Sequence, residues 1–178
     1  LGLPLLANIL FWLNLAAFGV LWTLSLLRLI FHTRRAFQDM IDHQRGPGFF
    51  TWVAGTCIVG SQFVIIRHNH QVAVAFWALA LVLWFCFTYT IFTGLTVKED
   101  KPLLEKGISG AWLLAVVATQ AVAVLSALIA EHWQQPFRLE MNFLALSLWL
   151  WGGMLYIWMI SLIFYRYTFF KFSPSLNQ

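Results

Sequence analysis

The chain has 178 residues, of which 61% are hydrophobic and only 10% charged. Soluble domains carry about a quarter charged residues, so a water-soluble fold of this size has nowhere to put the apolar surface, and lipid must serve as solvent for much of it. The net charge of +4 lies in short loops between apolar runs, which excludes a nucleic-acid-binding face and suits a membrane protein.

A bilayer core of about 30 Å is crossed by about 20 helical residues. Five stretches meet that length. The first spans about residues 4–31, with Arg28 close enough to its end to reach the interface. No basic stretch or small-residue cleavage site precedes it, so it does not read as a signal peptide. The linker His32 to Gly46 carries Arg34, Arg35, Asp39, Asp42, His43 and Arg45. It reads as a solvated amphipathic loop rather than a catalytic cluster.

The second stretch spans about residues 47–66, with Pro47 suited to a first helical turn. At helical spacing, Gly48, Thr51, Gly55, Val59 and Gln62 fall on one stripe. Arg67 to His70 makes a tight turn into the third stretch, about 71–97. Lys98 to Lys106 leads to the fourth, about 107–130, where Ala111, Ala115, Ala118 or Thr119, Val122 and Ser126 form a matching stripe. Glu131 to Glu140 leads to the fifth, about 141–170. No Asp, Glu or Lys lies within any of the five. Barrel strands are half as long and alternate in polarity, so the expected class is an all-α integral membrane protein with a single transmembrane domain.

Lys and Arg divide unequally between the two sides. Arg28, Arg34, Arg35, Arg45, Lys98, Lys101, Lys106, Arg166 and Lys171 share one side, and only Arg67 and Arg138 take the other. This puts the 32–46 and 98–106 linkers and the C-terminus in the cytoplasm, in a multi-pass protein of the cytoplasmic membrane. Leu1 then lies outside. A chain that begins outside with no signal peptide is expected to be a piece of something longer. A faint repeat is also visible. Phe50-Thr-Trp-Val-Ala-Gly-Thr and Gly110-Ala-Trp-Leu-Leu-Ala-Val open the second and fourth stretches, each followed by a bulky aromatic helix. Helical hairpins used twice are common in transporters.

The five histidines all lie in linkers, away from the helix interiors where haem ligands would sit. Cys57 and Cys86 lack a CxxC partner and read as small hydrophobes. No nucleophile, metal-ligand or phosphate-loop pattern appears, so neither metal, cofactor nor enzymatic activity is expected. The two stripes have two readings. One is close helix packing, since small residues let backbones approach in lipid. The other is a narrow neutral path lined by hydroxyls, amides and backbone dipoles.

Several stretches, in order, resemble the tellurite-resistance/dicarboxylate transporter family, relatives of the plant slow anion channels. They are Arg45-Gly-Pro-Gly-Phe-Phe-Thr, Ala54-Gly-Thr-Cys, Gly60-Ser-Gln-Phe, Leu95-Thr-Val-Lys-Glu-Asp-Lys-Pro, Gly110-Ala-Trp-Leu-Leu-Ala-Val-Val-Ala-Thr-Gln, Gly152-Gly-Met-Leu-Tyr and Phe164-Tyr-Arg. The resemblance implies ten helices in five hairpins, quasi-fivefold around one pore, in subunits that form homotrimers. The inner helix of each hairpin lines the pore and the outer one faces lipid. The second and fourth stretches would be inner helices. Only two of the five inner helices are then present, and the family's gating phenylalanine falls beyond Gln178.

The resulting expectation is a channel or transporter for small anions or C4-dicarboxylates, with a link to tellurite resistance. Its path would be lined in part by Thr51, Gly55, Val59, Gln62, Ala111, Ala115, Thr119 and Val122. Arg34, Arg35 and Arg45 would raise the local anion concentration at the cytoplasmic mouth. Other readings are an efflux carrier working by alternating access, a membrane redox or enzyme subunit, and a structural membrane subunit.

Overall fold

In the computed structural model, which describes residues 4–171, apolar sequence becomes helix because lipid offers backbone N–H and C=O groups no other partner. The order is α1 (Pro4–Phe31), α2 (Thr33–Met40), α3 (Phe50–Ile65), α4 (His70–Val97), α5 (Leu104–Gly107), α6 (Leu113–Ala130) and α7 (Phe137–Phe169). Short 3₁₀ turns, Gly46–Phe49 and Gly110–Trp112, precede α3 and α6. Five spans are long and apolar enough to cross a membrane, and no strand occurs among the described residues. The C-terminal end that the charge count assigns to the basic side lies, from residue 172, outside the described residues.

The linker before α3 differs from the expected loop. It contains α2, which buries Ala36 and Met40. His32, at φ −134° and ψ 40°, interrupts the helical path between α1 and α2. A straight helix would hold residues 28 and 39 about 16 Å apart along its axis. The break lets α2 turn back, so that Asp39 reaches Arg28. The fourth apolar stretch also divides: Gly107 closes α5, and α6 begins only at Leu113.

Burial sorts the five long helices into two kinds. Within the most apolar stretch of each span, 44% of residues are buried in α3 and 56% in α6, against 6% in α1, 17% in α4 and 22% in α7. The pair α3 and α6 is therefore central. Helix α4 lies across one side of it and α7 packs along α6. The small residues decide where the contacts fall. A Cβ at Gly60 would sit 2.8 Å from Leu125 Cδ2 and 3.1 Å from Phe76 Cβ, so α3, α4 and α6 meet where residue 60 has no side chain. Gly152 of α7 likewise leaves room for the Gln120 amide, whose Nε2 donates to Trp149 O at 3.0 Å.

Helix α1 is attached by one face only. Phe11 meets Phe63, Phe18 meets Phe76 and Trp22 meets Trp52, with ring centroids 5.2, 5.8 and 4.9 Å apart. Between them Asn14 Nδ2 donates to Gln62 Oε1 at 2.9 Å. At the end opposite the basic linkers, the turns after α3 and α6 are joined by His70 and His132, stacked with centroids 3.6 Å apart. The α3–α4 turn passes through His68 at φ 52° and is capped by Asn69 Oδ1, which accepts from Val72 N.

Filling the Gly60 space tests this packing. Gly60→Val is expected to lower stability by about 1–3 kcal/mol through overpacking. Gly55→Val, where an added Cβ meets nothing within 4 Å, should leave it nearly unchanged. Thermal unfolding of the detergent-solubilised chain, followed by helical circular dichroism, compares the two.

Candidate functional site

The side of α3 and α6 that faces away from α4 is open. On α3 it carries Thr51, Gly55, Ile58, Gln62 and Ile65, a stripe at spacings of three and four residues. On α6 it carries Gly110, Leu114, Val117, Ala121 and Val124 at the same spacings. Between them runs a groove of about 530 Å³, walled by Ile58, Gln62, Ile65, Val117, Gln120 and Val124 among others. Its surface is almost wholly apolar, with Ser61, Gln62 and Gln120 among the lining residues and none of them charged.

The sequence-predicted residues separate into four groups. Thr51 and Gly55 line a cavity of about 210 Å³ against Phe18, Leu21 and Trp22 of α1. Gln62 reaches the groove while its Oε1 stays paired to Asn14. Ala111 sits at the foot of α6, in a cavity of about 530 Å³ at the basic end. Val59, Ala115, Thr119 and Val122 are instead buried within the helix interfaces.

On α6 the open stripe runs one residue out of step with the predicted one, a rotation of about 100°. The hydroxyls explain the rotation. Trp84 Nε1 donates to Thr119 Oγ1 and Trp77 Nε1 to Ser126 Oγ, each at 2.8 Å. Those hydroxyls donate in turn to Ala115 O and Val122 O of their own helix. An indole N–H in lipid needs an acceptor, and α4 supplies the tryptophans that take up these two hydroxyls. Ile58 on α3 takes the exposed place that the pattern gave to Val59. The signal that would have found this register is the pair of tryptophans at positions 77 and 84, seven residues apart like Thr119 and Ser126.

The basic end is a second feature. Arg28 and Arg45 both bind Asp39, Arg45 Nη1 at 2.7 Å from Oδ1 and Arg28 through Oδ2. The Asp39 side chain is 13% exposed, and those of Arg28 and Arg45 are 57% and 72% exposed. The carboxylate is thus a shielded hub beneath two solvated guanidiniums, and its hydrogen bond and charge push the Arg45 pKa further up. Arg28, Gln44, Arg45, Trp52 and Ala111 line one cavity there. Arg28, His32, Arg35 and Arg45 line another, of about 540 Å³. Arg34 lines neither. Arg28 counted only toward orientation in the sequence, and Asp39 only as part of a solvated loop.

Beside this cluster the two basic linkers meet. Gln44 Nε2 donates to Lys106 O at 3.2 Å, and Gly107 lies against His43. Burial and then Lys98 push the His43 pKa down, against a smaller opposing pull from Asp42. In Arg166, buried on α7, a guanidinium N–H donates to Ile108 O and ties α7 to the same end. Among the described residues no group of histidine, cysteine or carboxylate side chains is arranged to hold a metal ion.

Two measurements test these assignments. Thr119→Val removes the acceptor for the Trp84 indole and should lower stability by about 1–2 kcal/mol, whereas Thr119→Ser should stay near wild type in the same thermal assay. For His43, a folded pKa below the unfolded value means the folded state favours the neutral ring. The stabilisation is then complete above the ordinary histidine pKa of about 6.5 and is lost as pH falls below it. Stability measured from pH 8 to pH 5 should decline in wild type more than in His43→Gln.

A protein-family model described as SLAC1, voltage-dependent anion channel, matches residues 1–176. No curated protein and no solved structure matches the chain.

Proposed function

Because the chain belongs to the voltage-dependent anion channel family, we propose that anions cross the membrane along the open stripes of α3 and α6, entering at the arginine-lined end. At the level of the family it is a membrane-embedded anion channel or transporter, a class that moves its substrate without chemical change. The observation that carries the proposed route is the alignment of a charged cavity with a neutral groove on one pair of helices. Arg28, Arg45 and Ala111 stand at the foot of that pair, and Ile58, Gln62, Val117 and Val124 line the groove between the two helices.

The physical roles differ along the route. At the basic end, guanidiniums raise the anion concentration. In the groove no fixed carboxylate repels an anion, and Ser61, Gln62 and Gln120 are the polar residues among its otherwise apolar walls. Ile58, Val117 and Val124 make the passage narrow and weakly wetted. Val59, Ala115, Thr119 and Val122 stand behind this wall and fix the spacing of the helices that carry it. By the positive-inside bias, the arginine-lined end faces the cytoplasm. The substrate classes are small inorganic anions and C4-dicarboxylates such as malate. The complete pore is a ten-helix, quasi-fivefold arrangement within a trimer of identical subunits.

Efflux of chloride, nitrate and malate from liposomes under a set potential tests the route. Gly55 has space for a larger side chain, so Gly55→Leu should keep the helical spectrum and cut efflux about tenfold, equivalent to about 1.4 kcal/mol of added barrier. Wild-type efflux in a folded Gly55→Leu chain would exclude α3's open face from the path.

A further inference from the structure

Arg28 and Arg45 meet on one carboxylate, yet Asp39 accepts only one N–H from each. A guanidinium has five N–H donors. Most of the donors of both side chains are therefore free, on groups held one carboxylate's width apart and largely exposed. Arg35 and His32 close the neighbouring cavity, which also holds Gln38. Three arginines against Asp39 and the nearby Asp42, whose charge also reaches Arg45, leave a net positive charge.

The position of the cluster narrows what fills it. Helix α1 is 28 residues long, about 42 Å, so it outruns the hydrocarbon core and Arg28, one turn from its end, falls at the level of phospholipid headgroups. The same stretch of α1 exposes Leu24, Leu27, Ile30 and Phe31, and α2 exposes Phe37 beside Arg34 and Arg35. Leu29, Phe49 and Trp52 form the apolar wall of the cavity that reaches Ala111. A charged recess opening onto lipid-facing side chains suits a ligand that is anionic at one end and apolar at the other. Bidentate N–H donors match a phosphoryl group.

We propose that the recess between the end of α1, the α2 helix and the foot of α3 binds the phosphate of an anionic phospholipid headgroup, through Arg28, Arg45 and Arg35. The acyl chains lie along the exposed face of α1, and the headgroup sits beside Gly48 and Ala111. This lipid would share its arginines with the proposed anion entrance. Binding nevertheless does not depend on conduction, so the lipid site stands or falls on a measurement without flux.

Native mass spectrometry of the purified chain, loaded with equal amounts of phosphatidylglycerol and phosphatidylcholine, reads the preference directly. The expected result is preferential retention of phosphatidylglycerol. Retention should fall about tenfold in Arg28→Gln/Arg45→Gln and be unchanged in Lys101→Gln, which removes a charge from the other basic linker. The triple variant Arg28→Gln/Asp39→Asn/Arg45→Gln leaves no unpaired carboxylate and should show the same loss with wild-type helicity. Equal retention of the two lipids, or wild-type phosphatidylglycerol retention in a folded triple variant, would overturn the proposal. Complete displacement of the lipid by millimolar inorganic phosphate would overturn it too, since the recess would then be a site for soluble phosphate.

Discussion

Leu125 occupies the space beside Gly60 that any other residue at position 60 would contest, and the arrangement of the central helices depends on that contact. Water drives no association between helices whose surroundings are already apolar; close van der Waals contact and interhelical hydrogen bonds must do so. Small residues supply the first on α3 and α6. Trp77 and Trp84 supply the second by reaching from α4 to hydroxyls on α6. One element fixes how near the helices come, and the other fixes which way α6 is turned. With both set, the side of α3 and α6 away from α4 is covered among the described residues only in part, by α1 along Thr51, Gly55 and Gln62, and the groove between Ile58 and Val117 stays open.

The basic end follows from a different constraint. Arg28 finishes an apolar helix, and its charge has to stay near water. The break at His32 turns α2 back, which brings Asp39 to Arg28 and Arg45 from opposite sides in sequence. One acidic side chain thereby gathers two cations that lie 17 positions apart in the chain. The same fold-back presses the 41–49 segment onto α4, where Ile41 occupies the space beside Gly94. The arginine–aspartate cluster and the packing at the helix ends are therefore parts of one local structure.

How much of this the sequence reveals depends on the length scale of the signal. Apolar length shows the five spanning helices, because each span is a local property of about 20 residues. The contrast between small-residue and aromatic helices separates α3 and α6 from the rest, because bulky side chains everywhere on a helix leave nothing for a close neighbour. The orientation of α6 about its own axis is a different matter. Alanines and hydroxyls at 111, 115, 119 and 126 suit a polar path and a tight interface equally. The decision between those positions rests with tryptophans 35 and 49 residues away. Asp39 is equally silent, since a carboxylate among arginines reads as solvated until a backbone break brings Arg28 within reach.

The amide pair between Asn14 and Gln62 has a consequence for how the protein is made. Asn14 lies in the middle of α1, and its partner is 48 residues further along. At ribosomal rates of about 5–20 residues per second, α1 is synthesised roughly 2–10 s before Gln62 exists. During that interval α1 must reside in the bilayer by its own hydrophobicity, with the Asn14 amide lacking its eventual acceptor. Its attachment to α3 is then a docking step in the plane of the membrane, separate from insertion.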